Sequence, residues 1–163
     1  MPATFLLCDD HALFRESLAL LIERQPGWRV VAQAGNGSEA VQLAQELKPD
    51  LALLDVAMPE GGGIDAANAI QAARPDTLII ALSMYGDEHY RQMMFRAGAR
   101  AYVLKNQAGA VLVEVIQSVL AGETYVSPKC HKPGTEQQRR AADRDLTRLT
   151  VREREVLELL VKG

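Results

Sequence analysis

Five times along this chain a short apolar run gives way to an amphipathic helical pattern. The runs are Thr4 to Cys8, Arg29 to Ala34, Leu51 to Asp55, Leu78 to Ser83 and Ala101 to Lys105. Strand and helix patterns in strict alternation are the signature of a parallel sheet covered by helices on both faces. Between the runs, Phe14, Leu18, Leu21 and Ile22 recur at i, i+4, i+7 and i+8, and Ala40, Leu43, Ala44 and Leu47 at i, i+3, i+4 and i+7. Tyr90, Met93, Met94 and Ala97 form a further face, as do Leu112, Val115, Ile116, Val119 and Leu120. Ala67, Ile70 and Ala73 mark a weaker helix. The expected unit is (βα)5, occupying residues 1–122.

At 163 residues the chain exceeds one domain of the usual ~100 to 150 residues, which predicts a fragment behind it. Residues 123–145 are expected to be a linker, because SPKCHKPGTEQQRRAADRD loses apolar periodicity and gains Pro, Gly and charge. Residues 146–163 specify one helix. Thr150 and Glu153 form a capping box, Val156, Leu157, Leu160 and Val161 an apolar stripe, and Gly163 stands where a C-terminal cap belongs.

A formal net charge of -3 with 24% charged residues carries no basic excess for nucleic acid or an anionic membrane. No apolar run approaches the ~20 residues of a membrane span, and Asp9 and Asp10 come too early for a signal peptide. A cytoplasmic protein is expected, with Cys8 and Cys130 as reduced thiols.

The first run, TFLLCDD, ends on two adjacent carboxylates, which raise each other's pKa unless a cation offsets them. In open parallel sheets ligands bind outside the carboxyl ends of the strands, where the strand order reverses. Asp9 and Asp10 follow the first strand, Asp55 ends the third, Ser83 the fourth and Lys105 the fifth. If the strand order is 2-1-3-4-5, the first and third strands are neighbours, so three carboxylates meet in one crevice with Ser83 and Lys105 on its far wall. Such an oxygen-only set suits Mg2+, which commonly takes one or two carboxylates plus a phosphate. Asp55 is then the natural nucleophile, since a carboxylate attacks phosphorus without a base to deprotonate it.

Asp9-Asp10-His11, Asp55 with Met58-Pro59, Ser83-Met84-Tyr85 and Tyr102-Val103-Leu104-Lys105 together resemble the receiver domain of two-component response regulators. The subfamily resembled is the NarL/FixJ type, whose effector is a LuxR-type helix-turn-helix, and LTVREREVLELLVKG resembles the opening of that effector. The resemblance implies a flavodoxin-like fold and a transcription regulator phosphorylated on Asp55 by a sensor histidine kinase. It implies Mg2+ held directly by Asp10, by Asp9 mainly through water, and by Asp55 with the backbone carbonyl of Ala57. Ser83 and Lys105 would hold the phosphoryl oxygens, and Tyr102 would turn from exposed to buried as the switch. Ser83 replaces the Thr of many relatives, and Glu60-Gly61-Gly62-Gly63 is richer in glycine than usual. The effector is incomplete, because a helix-turn-helix reads DNA with a second helix, so promoter DNA would be bound only through the missing part. A truncated form of a longer regulator is expected, able to homodimerise, with its apolar C-terminal stripe as one route.

Blander readings compete with these. An acidic pair is often a helix N-terminus, His11 belongs to a first helical turn, Tyr102 alone is ordinary strand filling, and Met93 and Met94 are helix-face residues. Cys130-His131 supplies too few ligands for a metal. Gly61, Gly63 and Ala66 fit the dinucleotide fingerprint but follow the third strand rather than the first. An Mg2+-dependent aspartyl phosphatase or phosphotransferase is the enzyme alternative, weakened by Ala57 where haloacid-dehalogenase-type enzymes place a second Asp. A silent receiver used only for protein contacts would more naturally have lost one of the five groups. The chain is thus expected to be a switch and not an enzyme.

Overall fold

The computed structural model describes residues 2–58, 62–84 and 86–126. Six strands and five helices alternate along them: β1 Ala3–Cys8, α1 Ala12–Glu23, β2 Trp28–Ala34, α2 Gly37–Leu47, β3 Leu51–Asp55, α3 Gly63–Ala73, β4 Leu78–Ser83, α4 Glu88–Arg96, β5 Ala99–Leu104, α5 Lys105–Leu120 and β6 Tyr125–Val126. All paired strands run parallel, in the order β2-β1-β3-β4-β5-β6. The order reverses between β1 and β3, as the order 2-1-3-4-5 of a flavodoxin-like sheet requires.

The period of two along each strand divides the core. Phe5 and Leu7, Leu51 and Leu53, Ile80 and Leu82, and Ala101 and Val103 face α1 and α5, meeting Phe14, Leu18, Leu112 and Ile116. Their alternates, Leu6 and Cys8, Ala52 and Leu54, Ile79 and Ala81, face α2, α3 and α4, meeting Ala44, Ile70 and Met94. Alanines on α2 and α3 keep that layer thin. The Asn36 side chain caps α2 by accepting from the Glu39 amide at 2.9 Å, and Asp87 caps α4 by accepting from His89 at 2.7 Å.

Four readings differ in detail. Lys105 opens α5 directly after β5 and does not end the strand. Leu47 and Tyr90 are 46% and 38% exposed, because each sits at an end of its helix, where the apolar stripe has turned off the sheet. Ala73, the last residue of α3, is exposed for the same reason. The sheet also passes Gly122: Tyr125 and Val126 pair with Ala101 and Tyr102, inside the stretch assigned to the linker. The predicted C-terminal helix lies outside the described residues.

Candidate functional site

The site is built where β1 and β3 end. Asp9 leaves β1 with its amide donating to the last carbonyl of β2, Ala34, at 3.1 Å. Its carboxylate turns inward and accepts from the His11 amide at 2.8 Å. Asp55 ends β3, and the next amide, Val56, donates to Leu82 of β4 at 2.9 Å. The Ala57 amide donates to Asp55 Oδ1 at 3.1 Å, which fixes the rotamer. Met58, two residues beyond Val56, packs its sulfur 3.3 Å from Cys8 Sγ, so the loops after β1 and β3 are joined beneath the acids.

Close approach is made possible by one glycine. An ideal Cβ on Gly63 would lie 2.0 Å from the Asp55 carbonyl oxygen, so the first residue of α3 has no room for a side chain.

Lys105 bridges the two buried acids. Its Nζ lies 2.7 Å from Asp9 Oδ2 and 3.0 Å from Asp55 Oδ2, and 4.9 Å from the centre of the Phe14 ring. Asp9, Asp55 and Lys105 are each at most 1% exposed, so this is a desolvated ion triad. Only the Asp55 contact has hydrogen-bond geometry, and Asp9 Oδ2 is left buried without an aligned donor. Asp10 stands at the solvent edge, 3.1 Å from His11 Nδ1. One ligand atom each from Asp9, Asp10, His11 and Asp55 falls within 4.8 Å of the others.

Electrostatics follow from burial. Desolvation pushes the Asp55 carboxyl up to about 7; Lys105 pulls against this, and Asp9 adds to it. Burial likewise pushes the Cys8 thiol up to about 12, with Asp9 and Asp55 contributing, so Cys8 is an inert core thiol. Three carboxylates against one ammonium leave a double negative charge when all are ionised. With oxygen donors and an unaligned buried oxygen on Asp9, the set fits a hard dication such as Mg2+.

The structure therefore brings together Asp9, Asp10, Asp55 and Lys105 from the carboxyl ends of three strands, β1, β3 and β5. Ser83 is buried at the end of β4, the strand beside Asp55's, in register with Leu104. Tyr102 pairs with Ala81 and is 0% exposed. Ala57 is exposed at the rim. His11, assigned to a first helical turn, stands one residue earlier as the N-cap of α1 and adds a nitrogen beside the acids, whereas sequence reasoning passed over Arg15, whose guanidinium donates to the Asp9 carbonyl.

Residues 5–117 match the response regulator receiver domain. The chain belongs to that family. Oxygen regulatory protein NreC of Staphylococcus carnosus is 34% identical to the regulator over 166 residues, covering 97% of this chain and 76% of that protein. Transcriptional regulatory protein DegU of Brevibacillus brevis is 31% identical, over 97% of this chain and 74% of its own length. The crystal structure of a LuxR-family two-component response regulator from Aurantimonas sp. superposes with a TM-score of 0.76 at 37% identity, over 80% of this chain and 93% of that one. The regulator is thus a receiver of the NreC, DegU and LuxR type, a group of phosphorylation-activated transcription regulators, and the phosphatase alternative is not favoured. No helix among the described residues is long and apolar enough to cross a membrane.

Proposed function

We propose that the regulator takes a phosphoryl group from a sensor histidine kinase onto Asp55, at a seat where Asp9, Asp10, Asp55 and the Ala57 carbonyl hold Mg2+. The observation that carries this is the position of the Lys105 ammonium, within 3.0 Å of both buried carboxylates and ready to pair with an incoming anion. When bound, Mg2+ supplies positive charge for the equatorial phosphoryl oxygens.

An Asp55 carboxylate oxygen attacks phosphorus as the bond to the donor's imidazole nitrogen breaks, the electron pair leaving with that nitrogen. The Ala57 amide, bonded to Asp55 Oδ1, orients the attacking group. Lys105 exchanges its bond to Asp55 for one to a phosphoryl oxygen, remaining paired with Asp9. The Ser83 hydroxyl at the end of β4 donates to another oxygen and draws the following loop inward; Tyr102, expected to turn from exposed to buried as the switch, is already buried in this structure, so this reading gives it the inward position of that switch. The phosphoryl group adds about -1.5 to -2 charge, enough to bias an element poised between two conformations. The same residues support self-catalysed phosphorylation by a small phosphodonor and slow hydrolysis. Homodimerisation and a cytoplasmic setting belong to this reading, as does DNA binding through a complete effector.

Intact-mass measurement after incubation with acetyl phosphate tests the proposal. The parent should gain one phosphoryl group with Mg2+ and none with EDTA, and Asp55→Asn should gain none under either condition. Uptake by Asp55→Asn, or steady phosphate release from unrelated esters, would overturn it.

A further inference from the structure

Arg15 lies in the first turn of α1, outside the cluster of acids, and its side chain runs back beneath the β1 to α1 turn. Nη1 donates to the Asp9 carbonyl and, at 3.4 Å, to the carbonyl of Ala34, the last residue of β2. Nε donates at 3.1 Å to the side chain of Gln33, also on β2. The Ala34 carbonyl in addition accepts from the Asp9 amide at 3.1 Å. Both ends of residue 9 are therefore tied to the end of β2, the amide directly and the carbonyl through the guanidinium.

The carbonyl in question belongs to the peptide joining Asp9 to Asp10. Its plane decides where both carboxylates stand, and Arg15 holds it. We infer that Arg15 is a positioning residue for the dication seat, setting the Asp9–Asp10 peptide through its fork. This rests on the Mg2+ seat proposed above. A planar guanidinium reaches several acceptors at fixed angles, whereas a lysine supplies charge at one point. Groups that orient metal ligands in this way typically govern affinity by 10- to 100-fold.

The test uses the whole chain and two variants, Arg15→Lys and Arg15→Met. The half-saturating Mg2+ concentration is read from the Mg2+-dependent rise in melting temperature, and phosphoryl uptake from acetyl phosphate at saturating Mg2+ is read by intact mass. Both variants should raise half-saturation about tenfold while still taking up the phosphoryl group once Mg2+ saturates. Half-saturation equal to the parent's overturns the inference, and so does restoration by Lys but not Met, which would make charge the cause. If the Arg15 variants do not fold, Gln33→Leu at its exposed position removes the partner that orients Nε. A raised half-saturation there supports the inference and an unchanged one overturns it. A parent that neither saturates with Mg2+ nor takes up phosphoryl contradicts the underlying seat, a result distinct from a competent parent matched by its variants.

Discussion

Asp55 is under two opposed demands: it is buried like a core residue, yet its proposed task requires a charge. Burial holds its carboxyl at about 7 against an ordinary 3.8, despite the pull of Lys105. The unfolded chain thus releases this proton well before the folded chain does. Stability from the group is fully present below pH 3.8 and is lost as pH rises to about 7. In Mg2+-free buffer the parent should therefore lose melting temperature across that window more steeply than Asp55→Asn, whose amide does not titrate. Parallel profiles would mean that Asp55 is ionised throughout. Lys105 is the counterpart: with Phe14 beneath it and carboxylates on two sides, its ammonium replaces part of the hydration that burial removes.

Two helix termini hold backbone geometries that a side chain resists. At the start of α3, Gly63 lets the helix reach the Asp55 carbonyl, where an ideal Cβ would sit only 2.0 Å from backbone oxygen. Gly63→Ala should force the backbone apart and destabilise by about 1 to 3 kcal/mol in denaturant titration, and it should lower phosphoryl uptake because Asp55 moves. An unaltered midpoint would show that the loop absorbs the methyl. At the end of α2, Lys48 holds a left-handed conformation with φ of 50°. Lys48→Gly should remove that strain and stabilise by about 1 kcal/mol, with no effect at the acids at the opposite end of the strands. A loss of stability would mean that the lysine makes a compensating contact.

Across the molecule, the sheet was legible because its strands are apolar on both faces and its helices keep their stripes; β3 and β4 have the bounds that the periodicity assigns. The convergence of Asp9, Asp10, Asp55 and Lys105 was legible too, since each stands at a strand end, but only once the order 2-1-3-4-5 was taken from the resembled fold. Two-residue β6 was not, because Tyr125–Val126 is too short to show a period and joins the sheet only through pairing with β5. Arg15 and Gly63 act through backbone carbonyls, which leave no trace in side-chain pattern. The central claim is that one dication seat spans β1 and β3. A crystal structure with Mn2+ in place of Mg2+ tests it through the anomalous signal. The account predicts a single peak within coordination distance of the Asp10 and Asp55 carboxylates and the Ala57 carbonyl. A peak that excludes Asp55, or none there at saturating Mn2+, would contradict it.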